Sequence, residues 1–267
     1  MKQKKESGSS DNSKIAIIFL IFICLVVVFS LMLKLVLLIQ QGHFDEDKRF
    51  SISVSDNKSI EVLSFAPNTR SIVIFKLDSN MKFSDTASFL EIPIDGFIKS
   101  GSLDLNQNIN SLFFNILIKY NKLSTNLTII DVLRLFIFAR TVSEKSVNIK
   151  SISQDLSTAD IDGIVGRLIN DELIAKDSQT IQIINSTDVH GLGQRLARLV
   201  TNIGGNVIIV ETGESKAESS ISYAGQKTYT VDRLAKILNF KTVKIDNKAI
   251  ADIVVTIGEN KLNSIRF

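Results

Sequence analysis

From Ile15 to Leu33 the chain reads IAIIFLIFICLVVVFSLML without a charge, and after Lys34 the apolar run resumes through Leu35, Val36, Leu37, Leu38 and Ile39. At about 1.5 Å of rise per residue, a helix over 15–39 crosses a hydrocarbon core of roughly 30 Å. Core helices of soluble domains are usually amphipathic, whereas this one is apolar all round, so the pattern predicts a membrane span with Lys34 snorkelling to the headgroups. A cleavable signal has a shorter apolar core and a small-residue cleavage site, which Gln40, Gln41, Gly42 and His43 do not supply. Cys24 lies mid-span with no small-residue lipidation motif before it.

Beyond the span the periodicity shortens. Ser59 to Phe65 and Ser71 to Leu77 are rich in β-branched and aromatic residues and flank Ala66-Pro67-Asn68-Thr69-Arg70, which predicts a β-hairpin. Leu112, Phe113, Ile116, Leu117 and Tyr120 share one helical face, as do Ile129, Val132, Leu133, Phe136 and Ile137. Thr128 and Asp131 offer a capping box for the second of these helices. These phenylalanine-bearing stripes read as core; exposed, they would meet the membrane or a partner's anchor helix.

The first module thus runs over 50–152, and a helical junction over 153–179. In the junction Ser157 and Asp160 frame a helix start, followed by the stripe Ile161, Ile164, Val165, Leu168 and Ile169. From 180 to 260, strands and helices alternate. Strands are predicted at 180–184, 206–211, 219–224, 242–245 and 253–257, and helices at 192–203 and 231–238, with Gly204 and Gly205 as a left-handed stop. The fold class that follows is α/β: one N-terminal transmembrane helix, a small α/β module and a C-terminal βαββαβ-type sandwich.

Composition narrows the function classes. The chain has 267 residues with 22% charged, 16 Phe, 13 Gly and 2 Pro, which excludes disordered and collagen-like or Pro-rich classes. One cysteine and 2 His (His43 and His190) exclude a disulfide framework and leave too few ligands for an ordinary zinc site. No metal and no cofactor is therefore expected. Lys2, Lys4, Lys5 and Lys14 precede the span, opposed by Glu6 and Asp11, while Asp45, Glu46 and Asp47 follow it before Lys48 and Arg49. The positive-inside bias puts a tail over 1–14 in the cytoplasm and the bulk of the chain outside. Setting aside those four lysines and Lys34, and the two tail acids, reduces 31 Lys+Arg and 28 Asp+Glu to 26 of each. The neutral remainder argues against a nucleic-acid partner, which calls for a clustered basic excess.

The turn from Asn185 to Gly193 joins a predicted strand to a predicted helix. Amides at such a helix start attract anions, and Asn185, Ser186 and Thr187 add short polar groups beside His190 and Gly191. Gly191 and Gly193 satisfy two glycines of the dinucleotide fingerprint, but Leu196 occupies the third, and a capped strand-to-helix turn explains the same residues. Arg195 and Arg198 fall on the polar side of the helix, where they would hold an acidic glycan or a teichoic phosphate, or simply face solvent. A capping or hydrogen-bonding role suits His190 better than catalysis. No serine-nucleophile motif, Walker loop or supported carboxylate pair is present, so no catalytic residue is assigned.

The run Ile181-Gln182-Ile183-Ile184-Asn185-Ser186-Thr187, with Val189-His190-Gly191-Leu192-Gly193, resembles the opening of the LytR C-terminal domain. Ser222-Tyr223, Ala235, Leu238-Asn239-Phe240 and Ile253 to Gly258 fall where that family places its next strand, helix and closing strand. Ser186 replaces the usual glycine and Gly193 the usual alanine. Ile60 to Arg70 is similar to a hairpin of the LytR-CpsA-Psr domain, which transfers lipid-linked glycopolymers onto peptidoglycan. That family follows the hairpin with an Arg-Asp pair for the pyrophosphate, whereas Asp78 and Ser79 stand here, and Lys58 replaces an acid before the first strand. An arginine fork and a metal-holding acid supply the charge stabilisation such a transfer needs. Ile92-Pro93-Ile94-Asp95-Gly96-Phe97 resembles a later motif of that family but arrives early, as if a stretch were deleted. The resemblance therefore implies a shortened, catalytically silent module.

The expectation is a single-pass, non-catalytic protein of the bacterial cell membrane, anchored through 15–39. Its bulk would be extracytoplasmic and bind peptidoglycan, wall glycopolymer or envelope proteins of wall assembly. The alternatives are a divergent lipid-pyrophosphate glycopolymer transferase and a membrane protein scaffold.

Overall fold

The computed structural model describes residues 9–40, 42–44, 47–56, 58–78, 81–246 and 250–261. Of the residues singled out above, Lys2, Lys4, Lys5, Glu6, Gln41, Asp45, Glu46 and Ser79 lie outside these, as does the first part of the tail over 1–14. The chain divides into two units, 1–43 and 44–267.

The first unit holds one helix, α1 (Ser9–Gln40). Within it Lys14–Lys34 is long and apolar enough to cross a membrane, and none of that stretch is buried. Its apolar side chains point to every side, from Ile15 at 65% exposure to Val36 at 49%.

The second unit contains β1 (Phe50–Ser55), β2 (Ile60–Ala66), β3 (Ser71–Leu77), α2 (Thr86–Leu90), β4 (Gly96–Lys99), α3 (Ile109–Ile118), β5 (Ser124–Thr125), α4 (Ile129–Thr141) and β6 (Val147–Ile152). These six strands form one sheet in the order β5-β4-β1-β2-β3-β6. The predicted hairpin is β2 and β3, paired antiparallel from Ile60↔Leu77 to Ala66↔Ser71. Its turn closes with Arg70 N–H on the Pro67 carbonyl at 3.2 Å, Arg70 taking a left-handed φ of 46°.

Strands β1, β4, β5 and β6 do not figure among the predicted elements. In β1, Phe50, Ile52 and Val54 alternate with Ser51, Ser53 and Ser55, and all six are buried. The apolar set joins a cluster with Phe44, Leu63, Phe65, Ile72 and the inner faces of α3 and α4. The serines face the other way, where Ser51 Oγ donates to Ser64 Oγ at 3.0 Å.

Both helix starts on this side follow their caps. Thr128 and Asp131 make the reciprocal capping box at α4, and Asn108 Oδ1 accepts from Ser111 N–H at α3. The buried face of α4, however, is not the predicted one. Val132, Leu135, Phe138 and Ala139 are buried, while Ile129, Leu133 and Ile137 are exposed and Phe136 is half-buried. Helix α4 is apolar on two sides, so its period alone does not select the side that meets the sheet. The buried Asp131 does: its Oδ1 accepts the N–H of Phe44 at 3.0 Å and fixes the helix with that side inward.

The chain continues through α5 (Thr158–Ile169) and α6 (Glu172–Asp177) to a second sheet. The elements from there on are β7 (Thr180–Asn185), α7 (Leu192–Asn202), β8 (Asn206–Thr212), β9 (Ser220–Ala224), α8 (Tyr229–Leu238), β10 (Lys241–Ile245) and β11 (Ile253–Ile257), and the five strands lie in the order β10-β9-β11-β7-β8. The sequence of elements is βαββαββ, with all five predicted strands and both predicted helices present; β10, predicted at 242–245, is a parallel edge strand on β9 added to the βαββαβ unit. Helix α7 ends at Gly204, with φ of 100°. Gly204 N–H donates to Thr201 and Gly205 N–H to Val200, at 2.9 and 2.8 Å, which is a Schellman stop. One buried cluster runs from Val62, Val73 and Phe75 of the first sheet through Val165 and Leu196 to Ile183, Leu234 and Val255 of the second. The two sheets therefore share a core.

Candidate functional site

The turn after β7 is held by its own side chains. Asn185 Nδ2 donates to the Val189 carbonyl at 2.9 Å, Thr187 Oγ1 donates to Asn185 Oδ1 at 2.8 Å, and Val189 N–H donates to Thr187 Oγ1 at 3.2 Å. Ser186 is tied by its backbone, its N–H to Ile257 and its carbonyl to Lys216 N–H. Asn185, Ser186 and Thr187 are all buried and form the frame of the turn. What the turn presents outward is Asp188, Val189, His190 and Gly191. Gly191 caps α7 in the left-handed region at φ 78°, with no side-chain bond to the first helical turn. Gly193 lies one position inside the helix, where a Cβ would meet Val210 Cγ1 at 3.1 Å and Asn185 Cβ at 3.4 Å. Its smallness serves close packing of α7 on β7 and β8, which accounts for the second glycine of the partial fingerprint without a nucleotide.

Arg195 and Arg198, 40% and 27% exposed, turn from the loop to acids of other elements. Arg195 Nε donates to Glu91 Oε1 at 2.8 Å, and Arg198 NH1 lies 3.6 Å from the same oxygen. Arg198 also holds Asp162 of α5 with both fork nitrogens, Nε to Oδ2 at 2.8 Å and NH2 to Oδ1 at 3.0 Å. Asn202 Nδ2 completes the cluster, within 3.2 Å of the Leu90 and Glu91 carbonyls and of Asp162 Oδ1. Glu91 follows α2 in a left-handed conformation and its side chain is 1% exposed. The polar face of α7 is thus a clamp on the α2 corner of the first sheet's half. The sequence shows no sign of it, because Glu91 lies 104 residues before its partner.

Burial pushes the Glu91 carboxyl above its ordinary 4.5, against the pull of Arg195 and Arg198. Glu61, 4% exposed with Lys76 Nζ at 3.2 Å, is raised by burial in the same way. A raised carboxyl holds its proton in the folded chain before it does in the unfolded one. Its stabilising term is complete below about 4.5 and is lost as pH rises through the folded value. Urea midpoints of the full-length chain between pH 4.5 and neutrality should therefore fall less steeply in a Glu61→Gln/Glu91→Gln variant than in the parent. Equal slopes would mean that neither acid titrates as its burial requires.

At the hairpin, Asp78, which stands where the resembled family carries one member of its Arg-Asp pair, is already engaged. Asp78 Oδ2 accepts Ser153 Oγ at 3.1 Å and Gln154 N–H at 3.0 Å. Asp56, despite some opposing burial, is held below its usual value by the N–H groups of Lys58 and Ser59 and by the Ser59 hydroxyl. No three His, Cys, Asp or Glu side chains among the described residues come together as a metal site.

The strand-turn-helix frame of 180–202 is carried by a segment that matches a known family. Residues 178–260 match the model described as LytR cell envelope-related transcriptional attenuator. They form a LytR C-terminal domain. Similar solved chains include the transcriptional regulator yvhJ from Bacillus subtilis, 14% identical, with 39% of this chain and 82% of that one covered at a TM-score of 0.31. TagV of B. subtilis is 12% identical over 42% of this chain and 88% of that one, TM-score 0.29. Protein gbs0355 from Streptococcus agalactiae is 10% identical over 47% and 88%, TM-score 0.32. At such scores they add nothing to the domain match. No curated protein matches the chain. The LytR C-terminal domain spans β7 to β11 and therefore contains all six residues Asn185, Ser186, Thr187, His190, Gly191 and Arg195.

Proposed function

We propose that the protein is a single-pass, non-catalytic component of the bacterial cell envelope, anchored by α1, whose LytR C-terminal domain binds peptidoglycan or its attached glycopolymer. The observation that carries this reading is the family match over 178–260, from a family described as cell envelope-related. The apolar Lys14–Lys34 stretch supports a membrane location. Asp78, bonded to Ser153 where the resembled hairpin carries an arginine, and Lys58, where it carries an acid, support a role without catalysis. On the LytR C-terminal domain, contact would fall on the exposed Asp188, Val189, His190 and Gly191 above their buried frame. Neighbouring wall-assembly proteins are the other partners this location allows.

The test is co-sedimentation of the full-length chain, in detergent, with insoluble peptidoglycan carrying its glycopolymer. Retention above a control membrane protein, lowered several-fold by His190→Ala together with Asp188→Ala, is the expected result. No retention would sink the polymer-binding reading. Release of pyrophosphate-linked product from a lipid-linked glycopolymer precursor with magnesium would establish a transferase instead.

A further inference from the structure

Helices α3 and α4 carry apolar side chains on the side turned away from the sheet. On α3, Phe114 is 54% and Ile118 68% exposed; on α4, Ile129, Leu133 and Ile137 are 42%, 41% and 53% exposed. The spacings, four residues apart on each helix, put each set in one stripe opposite the buried Leu112, Phe113 and Ile116 or Val132, Leu135 and Phe138. Phe114 and Phe136 are in ring contact at 6.3 Å, so the stripes adjoin. A contiguous apolar surface of this kind marks a contact with something other than water.

Two observations say what that is. The first is chain length. Phe44 is fully buried beside α4, its N–H on Asp131 Oδ1 at 3.0 Å and its carbonyl on Arg134 NH1 at 2.9 Å. Helix α1 ends at Gln40, and four peptide steps extend at most about 14 Å. Whatever the orientation, α4 is leashed to the end of a membrane-crossing helix. The second observation is charge. Asp131 is the single acid within α3 and α4 and is fully buried, while Arg140 of α4 is exposed, 5.7 Å from the Phe136 ring. The flanking segments carry both signs, with Lys122 exposed on one side and Asp104 and Glu144 on the others. Apolar stripes on helices that expose a cation and no acid of their own suit the headgroup boundary of an anionic bilayer.

We infer that the outer face of the α3–α4 pair lies in the interfacial layer of the same bilayer that α1 crosses, making the folded unit a second, peripheral membrane contact. This rests on the anchor reading of α1.

The chain has no tryptophan, so single-Trp reporters are free of background. Full-length Phe114→Trp and Ile137→Trp variants, with Val243→Trp on β10 of the other sheet as control, would be reconstituted in phosphatidylglycerol-rich vesicles with and without brominated acyl chains. Emission of both α3–α4 reporters should drop about twofold with brominated lipid while the control changes little, as shallow insertion requires. Reporters quenched no more than the control, in protein that resists alkaline carbonate extraction, would overturn this inference and leave the anchor intact. Protein stripped by carbonate would sink both. Unquenched reporters in a chain that crosslinks to a second copy would assign the face to self-association. Unchanged urea midpoints show that the variants fold.

Discussion

Replacing Arg195 and Arg198 together with alanine is expected to destabilise the 44–267 unit by about 3–5 kcal/mol. The size comes from what is left behind rather than from the attraction removed. Glu91 is 1% exposed, and without its cations a carboxylate stays largely buried or takes up a proton at a cost, with water reaching it only through the space that the two arginines leave. Asp162 loses its two-point partner as well, but at 25% exposure it keeps water within reach and adds less. Glu91→Gln in the same background removes the buried charge and should recover most of the loss. The measurement is the urea midpoint of each full-length variant by pulse proteolysis, completed as a double-mutant cycle. A loss below about 1 kcal/mol, in the range of an exposed pair, would show that the cluster behaves as a surface ion pair. Failure of Glu91→Gln to rescue would move the cause from charge to packing.

That clamp marks the limit of what the sequence reveals. Local rules carried far: the β2–β3 hairpin, the capping box at Thr128, the Gly204 stop and the β7–α7 turn are each written in one continuous stretch of chain, and each appears where it was expected. The membrane-length helix and the LytR C-terminal domain are legible for the same reason, since one is a continuous run and the other a string of short motifs. Arg195 illustrates the opposite case. Its helical position correctly puts it on the polar face, but polarity does not say whether water or a distant acid lies opposite, and Glu91 arrives from another part of the fold. Helix α4 misleads in a second way. With apolar residues on two faces, its periodicity fits either side inward, and the choice falls to Asp131 and its bond to Phe44. At the turn, Asn185 and Thr187 have the residue types of a ligand site, yet their hydrogen bonds close on each other. Polar type indicates capacity to bond; only the fold assigns the partner.

The second large effect is expected at Phe65. Its side chain is fully buried, at 5.7 Å and 79° from Phe113, 6.0 Å and 72° from Phe138, and 6.4 Å and 60° from Phe44. These are edge-to-face geometries in which each ring directs hydrogens at a neighbour's face. Phe65→Ala should cost about 3–5 kcal/mol, the transfer loss plus a cavity that β2, paired on both sides, is poorly placed to close. Phe65→Leu, which keeps most of the volume, should cost under about 1.5 kcal/mol. Phe114→Ala, on α3 next to Phe65's partner Phe113 but facing outward at 54% exposure, should leave the urea midpoint in detergent nearly unchanged while removing apolar area from the proposed bilayer contact. The contrast separates the two faces of the helix pair by function: the inner one holds Phe44 and the start of the folded unit, and the outer one contributes to stability only where lipid is present. Comparable losses for Phe65→Ala and Phe114→Ala in detergent would mean that the outer face is folded against protein, and the bilayer contact would then lose its surface.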